Sequence, residues 1–149
     1  MLNIRGFTLI EALITIVVGG LLALMGFPTL ASSMSRHSAW NARAVAISKY
    51  GRARAIALET GRATTLSWTG NVAVITATPR LAAGPGTLDT IGRPENFAQL
   101  YGVTVSGVPG TSLTIDPRGL GTSASATIFF TRNGFRDSVI VTGYGRVVK

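Results

Sequence analysis

Between residues 7 and 27 the chain runs almost without interruption through apolar side chains, and the only ionisable residue in that stretch is Glu11. At about 1.5 Å rise per residue, a helix over this segment reaches roughly 30 Å, enough to cross the hydrocarbon core of a bilayer. Beyond Pro28, residues 30–59 are rich in Ala and other helix formers and contain no further proline, and Thr60-Gly61 supplies a stop. One long helix is therefore predicted over 7–60, with a kink or loosening at Pro28 where the backbone donor is missing. At about 100° per residue, Trp40, Ile47 and Leu58 fall on one arc together with Arg36, Arg43 and Arg54. Val45 and Ile56 project from nearly the opposite side, beside Ala42, Ala46, Ala53 and Ala57. Two apolar faces fit a helix that packs on its own sheet and also on neighbouring subunits; a wholly buried central helix is the alternative.

After Gly61 the period changes. Residues 63–68 and 72–78 flank Thr69-Gly70-Asn71 and read as a hairpin. Residues 79–94, with Gly84-Pro85-Gly86, read as a long surface loop. Short strands are expected at 101–105 and 112–115, with a turn at Asp116-Pro117-Arg118-Gly119. Residues 126–131 and 138–142 flank Arg132-Asn133-Gly134, whose Asn-Gly supplies the positive φ of a tight hairpin. Residues 146–149 extend the last strand or add an edge strand. The expected fold class is α+β, a long helix against an antiparallel sheet of six or seven strands.

Glu11 is the odd feature of the apolar run. An ionised carboxylate in hydrocarbon costs several kcal/mol unless paired, which makes an intramembrane Glu a functional candidate. Arg5 is the nearest cation, but it precedes Gly6-Phe7, where a short basic leader meets the apolar run. Cleavage at that junction would create a new cation, the amine of Phe7. The contiguous Gly6-Phe7-Thr8-Leu9-Ile10-Glu11 resembles the class III signal of type IV prepilins and type II secretion pseudopilins. The resemblance implies that a membrane-embedded prepilin peptidase and methyltransferase cuts after Gly6 and methylates Phe7. It also implies that Glu11 meets the amine of a neighbouring subunit during assembly. A secretory signal peptide or a simple anchor are the alternatives, although a secretory signal places small residues after its apolar core rather than before it.

Composition fits one anchored domain: a leader at 1–6, a transmembrane helix half at 7–27, an amphipathic half at 28–60 and a β-rich domain at 61–149, with 28–149 as the soluble part. There is no cysteine, so stability comes from packing. Fourteen Lys+Arg against six Asp+Glu give a formal charge of +8, which favours anionic partners such as nucleic acid or membrane headgroups, or serves solubility alone. His37 is the only histidine, the acids are scattered, and no phosphate-cradling motif occurs, so neither an enzyme, a metal site nor a cofactor is expected.

The hairpin with Thr65-Leu66-Ser67-Trp68, the strand into Ile115-Asp116-Pro117-Arg118-Gly119 and the closing Val139-Ile140-Val141-Thr142 with Gly145-Arg146 resemble the FimT/GspH family of minor pilins and pseudopilins. Arg52-Ala53-Arg54-Ala55-Ile56 and Gly61-Arg62 fit as well. The resemblance implies a type IV pilin-like fold and a low-abundance subunit that primes or tips a filament among other major and minor pilins. The implied location is the bacterial inner membrane, single-pass, with the C-terminal domain in the periplasm, and after assembly a pilus or pseudopilus. Some FimT-like pilins bind double-stranded DNA for natural transformation around a C-terminal Gly-Arg-x-Arg. Here Gly145-Arg146 matches, but Val148 stands at the second Arg, and in a strand Lys149 faces the other way. The DNA-binding candidates are Arg118, Arg132, Arg136, Arg146, Lys149, Arg80 and Arg93, with Tyr144 able to stack on a base. A GspH-like pseudopilin of type II secretion and a non-polymerising anchored binding domain are the alternatives.

Overall fold

The computed structural model describes residues 7–79, 88–107 and 112–148. The leader with Gly6, Arg80, the Gly84-Pro85-Gly86 segment and Lys149 lie outside the described residues. The chain divides into two units, Met1–Met34 and Ser35–Lys149, and helix α1, Leu9–Thr60, contributes to both.

α1 begins with a capping arrangement. The Thr8 side-chain oxygen accepts the Glu11 amide at 3.3 Å, and the Thr8 carbonyl accepts the amides of Glu11 and Ala12 at 3.1 and 3.2 Å. Thr8 thus satisfies a donor that the first helical turn would leave unmade, and Glu11 stands in that turn, where the helix dipole favours negative charge. Pro28 lies inside a helix that continues through it. Within the first unit the described side chains from Leu9 to Met34 are exposed apart from the half-buried Ala12.

In the second unit α1 buries Ala39, Ala42, Ala46, Tyr50, Ala53 and Ala57, spaced three or four residues apart on one face. Four of these small side chains have no exposed surface, so the helix backbone lies close against the sheets. Trp40 and Leu58, on the other arc, remain 52% and 54% exposed. The helix ends where Gly61 turns to φ 63°, while the Thr60 hydroxyl donates to the Ile56 carbonyl at 2.6 Å.

The strands are β1 (Thr64–Thr69), β2 (Val72–Ala77), β3 (Asp89–Asn96), β4 (Thr104–Ser106), β5 (Ser112–Ile115), β6 (Ala126–Arg132), β7 (Phe135–Val141) and β8 (Val147–Val148), with a short helix α2 (Phe97–Tyr101) before β4. They form two antiparallel four-stranded sheets rather than one sheet of six or seven, in the orders β3-β2-β1-β5 and β4-β6-β7-β8. The split arises because β5 returns to β1, opposing Leu113 to Leu66, while β4 pairs with β6. Leu66 and Trp68 of β1, Ala73 and Ile75 of β2, and Ala126, Ile128 and Phe130 of β6 alternate into the core.

Two expectations are corrected. Part of the predicted 79–94 loop is β3, which pairs with β2 through Ala77↔Asp89 to Val72↔Asn96. Pro94 and Gly92 are tolerated because β3 is an edge strand with a shifted register, and Gly92 takes φ 78°. The strand predicted at 101–105 is instead the end of α2 followed by β4. The Asn96 side chain caps α2 by accepting the Ala98 and Gln99 amides, and Gly102 closes it at φ 64°. The β6–β7 hairpin is tighter than expected. Asn133 and Gly134 have φ of 46° and 80°, so β7 starts at Phe135 opposite Arg132.

Candidate functional site

Two regions carry the candidate chemistry. At the N-terminus Phe7 is non-helical and exposed, and Glu11 is exposed on the first turn of α1. Among the described residues no cation lies within ion-pair distance of Glu11; the ion pairs are Arg43–Asp137, Lys49–Glu95 and Arg62–Asp89. The Thr8 cap was not singled out from the sequence, although Thr8-x-x-Glu11 is the signature of a capping box.

The predicted basic residues separate. Arg132 is half-buried, its guanidinium donating to the Ser38 hydroxyl and, at 2.8 Å, to the Tyr101 carbonyl. It ties the end of β6 to α1 and to the end of α2, and Gly102 sits against it. Arg136 is exposed and lies 3.5 Å over the Phe129 ring. Arg118 is exposed on a turn held by the Asp116 carboxylate, which accepts the Arg118 and Leu120 amides at 2.9 and 2.8 Å. Arg93 is exposed on β3. Arg146 is exposed, its amide held by the Thr142 hydroxyl at 3.0 Å.

Of these, Arg146 lines a groove together with a second arginine, Arg54. The groove, about 390 Å³, is lined by Ile47, Tyr50, Gly51 and Arg54 of α1 and by residues 144–147. Tyr144 is 85% exposed there. Burial pushes the Tyr50 phenol above its ordinary value, while nearby Arg54 pulls it the other way. Gly145 has φ 82°, and a Cβ on it would stand 2.6 Å from the Tyr50 hydroxyl, so glycine is required before Arg146 for close approach as well as for the turn. A second groove of about 390 Å³ is lined by Arg36, His37, Trp40, Arg43, Phe135 and Asp137. A third, about 270 Å³, is lined by Trp40, Arg43, Ala44 and Ile47. The roles of Arg54 and Trp40 here were missed by sequence reasoning, although their shared arc with Arg36 and Arg43 was the available signal. Among the described residues no cluster of His, Asp or Glu could hold a metal ion.

The model of the prokaryotic N-terminal methylation motif matches residues 1–27. No curated protein and no solved structure matches the chain. α1 contains a stretch long and apolar enough to cross a membrane. The N-terminal methylation motif and the long helix on antiparallel sheets make the chain pilin-like in its first 27 residues and in its α+β fold.

Proposed function

We propose that this chain is a minor pilin of FimT/GspH type. It is made with a leader over 1–6, anchored by 7–27, and assembled into a filament that it primes or tips. The observation that carries this reading is the contiguous Gly6 to Glu11 signal at the head of an exposed apolar helix. Cleavage after Gly6 frees the Phe7 amine, and the Glu11 carboxylate of one subunit meets that amine on a neighbour. Each charge relieves the other's desolvation as the pair leaves water. The Thr8 cap holds the Glu11 backbone amide in the first turn of α1, which supports this placement of Glu11 near the helix start.

The exposed arginines support a second element, contact with double-stranded DNA by a low-specificity electrostatic surface. Arg93, Arg118, Arg136 and Arg146 are free to reach phosphates, whereas Arg132 is engaged within the fold. The pseudopilin reading draws on Val148, which stands where the DNA-binding tail would have a second Arg.

Mass spectrometry of the membrane-extracted chain, made with a prepilin peptidase, is expected to show loss of residues 1–6 and gain of one methyl group; a retained leader refutes the proposal. Gel shifts of the full chain in detergent with duplex DNA at two salt concentrations test the second element. Binding weakened by salt and by combined Arg118, Arg136 and Arg146→Ala substitution supports it, and no shift at low salt rejects it.

A further inference from the structure

The β6–β7 turn holds the asparagine best placed to be attacked by its own backbone. Of the five asparagines, Asn133 alone precedes a glycine. Asn3, Asn41, Asn71 and Asn96 are followed by Ile, Ala, Val and Phe, whose Cβ crowds the amide that would attack. Asn133 and Gly134 are both exposed, and a Cβ added at Gly134 would meet nothing within 4 Å. Among the described residues the Gly134 amide has no backbone acceptor. The nucleophile is therefore open.

The electrophile, in contrast, is tied. The Asn133 carboxamide nitrogen donates to the Ser35 hydroxyl at 3.2 Å, and Ser35 is buried on α1 at 3% exposure. The neighbouring Arg132 guanidinium donates to the hydroxyl of Ser38, one turn further along the helix. Adjacent side chains thus clasp the β6–β7 turn to α1. While the clasp holds, the Asn133 side chain is kept from swinging onto the Gly134 nitrogen, and when the bond to Ser35 opens, the side chain is free to make that approach.

We infer that Asn133 is a self-modification site whose rate is set by the docking of the β6–β7 turn on α1, and that the modification then works against redocking. In the step, the Gly134 amide gives its proton to solvent base and attacks the Asn133 side-chain carbonyl carbon. A new N–C bond closes a succinimide ring, the bond from that carbon to Nδ2 breaks, and ammonia leaves with a proton returned from solvent. Water then opens either carbonyl of the ring, leaving aspartate or isoaspartate at position 133, and nothing is oxidised or reduced. Either product replaces the donor that faces Ser35 with a carboxylate and lowers the formal +8 charge. Isoaspartate also lengthens the backbone of a turn whose φ angles are 46° and 80° and whose flanks pair as Arg132↔Phe135. A tight hairpin absorbs that only by shifting its register, which carries Arg132 away from Ser38 and Tyr101. The clasp opens reversibly before the reaction and closes less well after it, as a one-way latch does.

The full chain in detergent micelles is incubated at mildly alkaline pH, natively and in guanidinium, and sampled over days. Trypsin cuts after Arg132 and Arg136, so the reporter is the peptide Asn133 to Arg136, with the amide-to-acid change read by mass and isoaspartate counted by enzymatic methylation. In guanidinium, Asn133 is expected to react ahead of Asn41, Asn71 and Asn96. In the native chain its rate should fall by at least about tenfold, because reaction then waits on local opening. Ser35→Ala should raise the native rate by about fivefold, the scale of one net hydrogen bond. Hydrogen exchange in Ser35→Ala should quicken at the β6–β7 turn and not in β1 or β2, which separates an opened clasp from a loosened fold. Asn133 reacting no faster than Asn41 in guanidinium overturns the site itself. Equal rates in the native and unfolded chain, or in the native chain and Ser35→Ala, overturn the control by docking. An aged, isoaspartate-bearing chain whose turn amides exchange as slowly as those of the fresh chain overturns the latch.

Discussion

Helix α1 uses opposite residues in its two stretches. From Leu9 to Met34 its large side chains, Leu, Ile, Val and Phe, are exposed, whereas from Ala39 to Ala57 the buried positions are alanines and one tyrosine. In an ordinary soluble helix the large apolar side chains would face the core. The reversal has a physical reading. The bulk of the core comes instead from the two sheets, through Leu66, Ile115, Ile128 and Phe130, and from Phe97 of α2. The large residues of the first stretch are exposed, the arrangement expected of a surface that lipid or a partner chain would cover. A single helix thus contains a folding face and a waiting face, distinguished by side-chain size more than by polarity.

The comparison breaks most sharply if size is reversed on the folding face. Ala53 has no exposed surface, and its carbonyl accepts the Thr64 hydroxyl at 2.9 Å. Ala53→Leu should therefore destabilise the second unit by about 3 kcal/mol, measured by denaturant unfolding of the full chain in detergent. The same volume change on the waiting face, such as Ala23→Leu, should move that midpoint by no more than about 0.5 kcal/mol. Equal losses at both positions would mean that the two stretches are not different in kind.

Glycines sharpen the contrast at a smaller scale. Gly145→Ala places a Cβ against the Tyr50 hydroxyl at a backbone φ of 82° and should cost about 2 to 3 kcal/mol. Gly19, Gly20 and Gly26 have nothing within 4 Å of an added Cβ. Gly20→Ala should leave the melting of the second unit unchanged and raise helix content slightly, by up to about 1 kcal/mol of helix propensity. If Gly20→Ala blocks filament incorporation while leaving the subunit folded, a neighbour approaches the helix there in the assembled state.

Much of this division was legible in the sequence because it is local. The apolar run, the alanine stripe of Ala42, Ala46, Ala53 and Ala57, the Thr60-Gly61 stop and the Asn133-Gly134 turn each act within a few residues. The Gly6 to Glu11 signal is contiguous and was equally readable. What was missed depends on distant pairing. β3 is a strand only because β2 offers its edge, despite Pro94 and Gly92, and the division into two sheets depends on β5 returning to β1 across long separations. The basic surface shows the same limit. Arg132 looks like any loop arginine until Ser38 and Tyr101 meet it, and Arg54 joins Arg146 only through the fold.

Tyr50 gives the mildest test of the folding face, since it is the one buried residue of the alanine stripe that can ionise. Its phenol is raised above the ordinary value of 10.0 chiefly by burial, with Arg54 opposing. The neutral phenol is therefore favoured in the folded state. Its contribution is full below the unfolded value and declines as pH climbs from there through the higher folded value. Melting temperature should accordingly fall with a steeper slope above pH 10.0 in the native chain than in Tyr50→Phe, after each is normalised to its own value at neutral pH. Tyr101 is raised by burial and by Glu95 and contributes a slope of the same sign, so only the difference between the two proteins reports on Tyr50. Identical slopes would show that the Tyr50 phenol ionises as readily in the folded unit as in the unfolded chain. The alanine face would then be open to water at its centre, and the distinction between the two stretches of α1 would be one of degree.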